Sequence, residues 1–366
     1  MFDYIIFRII HIIYLKSLLI NYKIKFMRAI VFLFILLIFI KPVSSKEILY
    51  SGEYKIEFSS ENITKKKEEV INEIKYNSFR KIIISLLTNS EYNKLNKNID
   101  IDFINTFIFA VDIYEEKINN NTYTSKITFA YDNSKIINFF INNNIHFIPY
   151  EPEEYLLIIF DQKLFSEKIL SKDNQFYQFL NDNKYKYFNV PNLDVNDRYI
   201  IKKEDFILKK IKNYDELIDK YKNKNILLIH SITNSNEVNI HSYVYENYNF
   251  QTLDNVLVKK INYEIFFKNL HSKALDYWKN KNIVNPSSIN KINCKINTLN
   301  LVELKTIKKI INKNKMIKQI NTNEISYNNS NYELVYYGDL DILVKSLYKD
   351  KIRLKFIDNL CDIKIL

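Results

Sequence analysis

The sequence predicts a mixed α+β or α/β protein of two or three small units, each a mixed or antiparallel sheet with helices packed on it, behind an N-terminal signal segment. Three observations predict this class. Apolar stripes at helical spacing recur along the chain, runs of alternating apolar and polar residues lie between them, and the order of elements restarts twice. We place the units at 46–150, 151–286 and 287–366.

The first unit reads as strand, helix, strand, strand, helix. It opens with a strand at 47–58 and a helix at 60–87, whose apolar residues recur every three or four positions and can lie on a sheet. Two alternating runs, 109–113 and 123–131, flank an asparagine turn and predict an antiparallel pair. Asp132 follows and can cap the next helix.

The second unit has a weak middle and a clear end. Its apolar run at 155–160 follows two prolines and predicts a buried strand. A helical stripe at 214–221 precedes a strand at 225–232, and two further strands lead to a closing helix at 263–281. Helix followed by strand in this order indicates an α/β layer.

The third unit repeats the pattern after Pro286. A strand near Ile292, a helix at 301–311 and two more strands lead to Gly338, which turns the chain. Asp339 then caps a last helix before a strand, so we predict a small α/β unit.

The N-terminal region predicts export. Segment 27–45 opens with Met and Arg, continues with twelve apolar residues at 29–40, and ends with small residues. We expect cleavage after Ser45, with Val43 and Ser45 as the small residues before the cut and Lys46 as the first residue of the mature chain. Twelve helical residues rise about 18 Å, well short of the roughly 30 Å of a bilayer core. We therefore predict that the signal is cleaved and that the mature protein is located in the periplasm.

The extension 1–26 is also apolar, but Arg8, His11 and Lys16 interrupt it. We interpret Met1 as a wrongly assigned start and Met27 as the true start of the protein. The alternative is an inner-membrane anchor over 5–40, in which charges would be costly at the bilayer centre. The sequence leaves open whether these N-terminal apolar segments contact the membrane.

Composition excludes several classes of function. The chain has only two glycines, Gly52 and Gly338, whereas phosphate-cradling loops and dinucleotide fingerprints need closely spaced glycines. The formal net charge of +11 includes the basic signal segment, and lysines alternate with acids, as at 65–69. That pattern is typical of a solvated helix face. We therefore predict no nucleotide or nucleic-acid partner and no cofactor.

Cysteines and aromatic residues leave alternatives open. Cys294 and Cys361 are too few for a metal cluster, and either a disulfide or two buried thiols fits an exported protein. The chain holds 28 Tyr and 25 Phe in a composition biased towards Asn, Ile and Lys. Aromatic residues interleaved with lysines, as at 184–188, could stack on a ligand or partner, or could simply build the core.

A weak polar cluster combines Asp194 and Asp197 with His230. The acids, with Glu204 nearby, could bind a divalent cation, but such a site needs about six oxygen ligands, and turn and cap roles account for these acids. His230 and Ser231 could act as base and nucleophile, although adjacent residues point to opposite faces of a strand. We assign no catalytic, cofactor-binding or metal residues.

Several short motifs together resemble a known family. They are the hairpin end at 128–132, the proline and paired acids at 190–197, the strand, glycine and helix start at 336–340, and the helix at 61–87 that ends in paired leucines. Their order resembles the bacterial family known as domain of unknown function two-thousand-and-sixty-six. Tyr131 stands where that family has Phe, and Lys, Asn and Ile replace its Ala and Arg. The resemblance implies a Gram-negative envelope protein with no established activity and no catalytic residues to carry over.

Two classes of function remain. The first is a noncatalytic periplasmic or envelope-associated module that binds or assembles with an envelope protein partner. The alternative is an exported hydrolase or small-ligand-binding protein whose site is assembled from distant residues. Scarcity of His, Cys and Gly favours the first, whereas a pocket joining His230 or His241 to Asp194 or Asp197 would favour the second.

Overall fold

The computed structural model describes residues 47–366 apart from 165, 209–210, 224, 247–248, 298–299, 326–328 and 358–359. The predicted extension 1–26 and signal 27–45, including Val43, Ser45 and Lys46, lie outside the described residues. Ile48–Leu366 is one compact unit. It is a mixed α/β fold with three sheets, which confirms the predicted class.

The elements follow in chain order. The strands are β1 (Ile48–Ser59), β2 (Ile108–Asn119), β3 (Thr122–Asp132), β4 (Tyr155–Lys163), β5 (Ser166–Ile169), β6 (Phe188–Asn189), β7 (Asn225–Thr233), β8 (Val238–Glu246), β9 (Asn249–Val258), β10 (Ile289–Asn297), β11 (Ile317–Ile325), β12 (Asn329–Tyr337), β13 (Ile352–Ile357) and β14 (Leu360–Ile365). The helices are α1 (Ile63–Leu86), α2 (Asn89–Leu95), α3 (Ile101–Asn105), α4 (Asn133–Asn142), α5 (Gln175–Asp182), α6 (Val195–Ile200), α7 (Lys203–Leu208), α8 (Ile211–Tyr221), α9 (Tyr263–Lys281), α10 (Leu301–Lys313) and α11 (Leu340–Lys349). Within these ranges, no helix is both long and apolar enough to cross a membrane.

The N-terminal sheet is antiparallel and has the order β1-β3-β2. Helix α1 starts at Ile63, three residues after the predicted position 60, because Asn62 caps it, its Oδ1 accepting the Lys65 N–H at 3.0 Å. The predicted apolar stripe of α1 lies over β1 and β3, where the hydroxyls of Ser78 and Tyr131 are 2.6 Å apart. Strand β2 is left as an edge strand of this sheet.

The middle sheet has the order β5-β4-β7-β8-β9, with β6 beside β4. Strands β4 and β7 are parallel, and residues 155–160 are all buried, as their unbroken apolar sequence predicts. Helix α8 covers one face, where Tyr245 OH donates to Asp215 Oδ1 at 2.9 Å. Helix α9 covers the other, where Tyr277 OH donates to Gln251 Oε1 at 2.8 Å.

The C-terminal sheet has the order β11-β12-β10-β14-β13 and carries α10 and α11. Its buried side chains belong to the same hydrophobic core as those of the N-terminal sheet, whereas the middle sheet has a core of its own. Strand β14 has no counterpart in the sequence-based expectation, although Cys361, Ile363 and Ile365 alternate in it with Asp362 and Lys364. The short elements β5, β6, α5, α6 and α7 were also not predicted, since no clear apolar period marks the region 166–208.

The predicted turn and cap residues occupy their expected places. Asp132 is the N-cap of α4, and its Oδ1 accepts the Lys135 N–H at 3.1 Å. Gly338 turns the chain with φ of 72°, in the left-handed region that glycine adopts freely. Asp339 is the N-cap of α11, but its side chain makes no capping hydrogen bond.

Candidate functional site

Asp194 and Asp197 lie together at the end of α8. Asp194 caps α6 by accepting the Asp197 N–H at 2.9 Å, and Lys220 Nζ donates to both carboxylates, at 3.2 Å to Asp194 and 2.6 Å to Asp197. The fully buried Asp197 also accepts a 2.6 Å hydrogen bond from Tyr221 OH. The Asp197 N–H and then Lys220 lower the pKa of Asp194, and Asp197 raises the pKa of Lys220. This network joins α6 to α8 by paired charges.

His230 lies elsewhere, on β7. Its ring stacks on Phe160 with centroids 4.7 Å apart, and its Nε2 is 3.2 Å from Gln162 Oε1. Burial, with a smaller contribution from His241 on the neighbouring strand, lowers the pKa of His230 to about 4. These contacts tie His230 to β4, whereas Asp194 and Asp197 contact Lys220 and Tyr221 at the end of α8. Ser231 is fully buried on the opposite face.

The aromatic segment 184–188 packs around α9. The rings of Tyr185 and Phe188 lie 5.7 and 5.3 Å from the His271 ring, and Tyr185 also approaches Phe267 at 6.1 Å. His271 Nε2 donates to the Lys186 carbonyl at 2.8 Å, and burial lowers the pKa of His271. Tyr185 and Phe188 are partly buried against the middle core, which is the core-building role left open by the sequence.

Cys294 and Cys361 form a disulfide. They are direct register partners on the parallel strands β10 and β14, with Cα atoms 4.3 Å apart, and both are almost fully buried. The bond closes a separation of 67 residues and ties the last strand into the C-terminal sheet. The pairing that the sequence left open is thereby resolved. Among the described residues, no group of three or more His, Cys, Asp or Glu side chains is placed to hold a metal ion.

Strand β2 presents the most distinctive surface. On the α1 side of the sheet it exposes large apolar side chains, at the following fractions of their full area: Phe109 49%, Val111 41%, Ile113 37% and Ile118 62%. Tyr114 is on the opposite side, where it lies beside Lys126 and donates to Glu53 Oε2 at 2.6 Å. Their neighbours on β3 are covered: Ile127 and Phe129, directly opposite Ile113 and Val111, are completely buried. The apolar face of the sheet therefore continues beyond the cover that α1 provides. We call Phe109, Val111, Ile113 and Ile118 the edge stripe.

Sequence reasoning identified the strand but not the edge stripe. The alternation at 109–113 predicts a half-buried strand, and the structure has that strand. Exposure of its apolar side depends on the strand order, which places β2 outside β3 and away from α1. A sign was already present in the sequence, since β2 follows the short α3 and is joined to β3 by a tight turn, as edge hairpins are.

No protein-family model matches the chain, and no curated protein is significantly similar to it. The resemblance to the envelope family of unknown function stays a prediction that rests on the short motifs alone.

Proposed function

We propose that this protein is an exported, noncatalytic module of the bacterial cell envelope that binds another polypeptide strand along β2. The observation that carries the proposal is the edge stripe. Soluble domains rarely leave a contiguous apolar patch on a long edge strand unless it is an interaction site, because its open backbone groups invite pairing. Addition of an extended strand would cover the apolar side chains and pair the backbone at the same time.

Export is supported by two independent features. The sequence predicts a signal at 27–45, and the disulfide between Cys294 and Cys361 is of the kind that persists in oxidising compartments such as the periplasm. A buried disulfide in a reducing cytosol would be unusual. Both features therefore favour a protein that works after translocation, among envelope partners.

A noncatalytic role is supported by how the polar residues are used. Lys220 pairs with both Asp194 and Asp197 and so links two helices, and His230 is stacked and half-buried. A catalytic base or nucleophile needs a partner and access to substrate, and these groups are engaged in holding the fold together.

The test of location is to express the untagged gene in a Gram-negative host, fractionate the cells and determine the N-terminus by mass spectrometry. We expect a periplasmic species that begins at Lys46. A membrane-bound species that begins at Met1 would instead support an anchor over 5–40.

The test of binding places a photo-crosslinking amino acid at Val111 in the exported protein, in living cells. The matched control carries it at Thr322, an exposed position on the edge strand β11. We expect a defined covalent adduct from Val111 and none from Thr322. Absence of any adduct at Val111, or an equal yield at both positions, would refute binding along β2.

A further inference from the structure

We infer that the first turn of α10 binds the exported protein to an anionic phospholipid bilayer, with Leu301 and Val302 at the border of the acyl chains and lysines among the headgroups. Binding of this kind goes beyond the proposed function and involves no residue of β2. Three features carry it: an exposed apolar pair at the start of the helix, lysines behind that pair without acidic partners, and further exposed apolar side chains at the same end of the C-terminal sheet.

Leu301 and Val302 begin α10 with little protein covering them. Asn300 caps the helix by accepting the Glu303 N–H at 2.9 Å, and the side chains of Leu301 and Val302 are 70% and 74% exposed. The buried side of α10 is made instead by Leu304, Ile307 and Ile311. The apolar core therefore does not use the pair. Single exposed apolar residues are common on protein surfaces, whereas adjoining ones mark a contact with a protein or a membrane.

The solvent side of α10 continues from Val302 into lysines. Lys305 and Lys309 lie on the same face of the helix as Val302, and both are exposed. Neither lysine forms an ion pair with any residue that the structure describes. On helix α2, by contrast, Lys94 is paired with Glu91 at 2.8 Å. Unpaired lysines on one helix face create a positive surface that attracts anions.

The order of side chains along α10 matches the layers of a bilayer that the helix meets end-on. A helix rises about 1.5 Å per residue, so Lys305 lies about 6 Å beyond Leu301 and Lys309 about 12 Å beyond it. Headgroups extend roughly 5–8 Å outward from each border of the hydrocarbon core. With the apolar pair at that border, Lys305 reaches the phosphates. Lys309 stays within the attraction of the surface, which falls off over a Debye length.

The same end of the C-terminal sheet exposes further apolar and basic side chains. Strand β14 runs parallel to β10 with Ile296 opposite Ile363, so it ends on the side of the sheet from which α10 starts. Ile365 ends β14 and Leu366 follows, and they are 39% and 53% exposed. The Leu366 N–H donates to the carbonyl of the exposed Lys351 at 2.9 Å, which adds a cation to this end.

Two acids beside these residues are already engaged. Asp362 pairs with Lys364 at 3.3 Å, and Asp350, next to Lys351, accepts a 2.7 Å hydrogen bond from Asn314 Nδ2. A solvated helix face accounts for exposed lysines, but it does not account for an exposed apolar pair in front of them. An anionic bilayer matches both, because its acyl chains take apolar side chains and its headgroups take cations.

The first experiment measures co-sedimentation of the mature chain, purified after export with its disulfide formed, with vesicles of phosphatidylglycerol and phosphatidylcholine in equal parts. We expect binding in about 50 mM salt that weakens at least about tenfold in about 500 mM salt, and no binding to phosphatidylcholine alone. Leu301→Ser with Val302→Ser should weaken binding at least about tenfold, and so should Lys305→Ala with Lys309→Ala.

Two matched controls separate this surface from apolar exposure and net charge in general. Leu164→Ser changes an apolar side chain between β4 and β5 that is 74% exposed, as Val302 is. Lys65→Ala with Lys66→Ala removes the same charge from the exposed side of α1. Both controls should bind within about twofold of the unchanged chain. Equal weakening by either control, no binding to anionic vesicles, or equal binding to phosphatidylcholine overturns the inference.

The second experiment locates the contact and does not depend on a loss of binding. Trp278 is the only tryptophan of the chain and is buried, so a new tryptophan reports on its own surroundings. With anionic vesicles, emission from Val302→Trp should shift to the blue and be quenched by brominated lipid, whereas emission from Leu164→Trp should not change. Binding without a change at Val302, or the same change at both positions, overturns docking through α10 and leaves strand binding along β2 standing.

Discussion

The edge strands β2 and β11 belong to two sheets that share one hydrophobic core, yet they are finished in opposite ways. Strand β2 exposes its edge stripe. Strand β11 exposes polar and charged side chains instead: Lys318, Gln319, Thr322, Asn323 and Glu324. Both strands are irregular at two places in their register against the neighbouring strand, so bulges do not distinguish them.

Polar side chains on β11 are linked to their neighbours. Asn321 Nδ2 donates to Glu333 Oε1 at 2.9 Å, and Asn331 Nδ2 donates to Glu324 Oε2 at 3.0 Å. Charged side chains are one means by which natural sheets prevent pairing at an edge. The same bias towards Asn, Ile and Lys acts on the whole chain, so composition does not account for the apolar residues of β2. The difference indicates that the apolar side chains of β2 are exposed because of where β2 lies in its sheet, at the edge beyond the cover of α1.

The largest expected effect concerns the disulfide, which crosslinks the C-terminal sheet. Cys294→Ala with Cys361→Ala should lower the free energy of unfolding by about 4 kcal/mol, because the disulfide closes a loop of 67 residues in the unfolded chain. Urea unfolding followed by circular dichroism measures the loss. Reductant should destabilise the native protein similarly and leave the variant unchanged. A loss below about 1 kcal/mol would show that the C-terminal sheet does not depend on its disulfide.

The next effect compares two isoleucines that face each other within the N-terminal sheet. Ile127→Ala should cost about 3 kcal/mol, because Ile127 is completely buried beneath α1. Ile113→Ala, at its register partner, should cost about 1 kcal/mol or less, since that side chain is already more than a third exposed. Both are measured by urea unfolding at a concentration where the chain is monomeric. Equal costs would mean that the edge stripe is needed for the monomer and is not reserved for a partner.

The strength of the periodic pattern decided what the sequence could predict. Helix α1 and the strands β1 and β3 are long and regular, and Asp132 was recognised as a cap from its place before an apolar stripe. The elements between β4 and α8 are short, so no period identifies them. The pairing of Cys294 and Cys361 depended on β14, which is equally short.

The exposure of the edge stripe could not be predicted from the sequence, because it depends on the order of the strands in the sheet. Alternation at 109–113 is the same for an edge strand and a central one. Likewise, the Lys220 that donates to both Asp194 and Asp197 comes from a helix more than 20 positions away. Nothing in the local sequence indicates that contact, whereas the separation of His230 from Ser231 followed from strand geometry alone.

A smaller effect is expected from making β11 resemble β2. Gln319→Val with Asn323→Val replaces two exposed amides on one side of that edge with apolar, β-branched side chains. We expect association to strengthen by about tenfold or less, because the charged neighbours Lys318 and Glu324 remain. Sedimentation of this variant and of the unchanged chain measures it. Unchanged association would show that polar side chains are not what keeps β11 from pairing.

The smallest effect compares the two aspartates at helix N-caps in the two halves of the shared core. Asp132→Ala should cost about 1 kcal/mol or somewhat more, because Asp132 Oδ1 accepts the Lys135 N–H and the residue is buried. Asp339→Ala should cost only a few tenths of a kcal/mol, since Asp339 makes no capping hydrogen bond and acts on α11 through its charge alone. Thermal and urea unfolding of both variants give the comparison. Equal losses would show that charge at the helix end, and not the hydrogen bond, sets the stability of these caps, and salt would then reduce both losses alike.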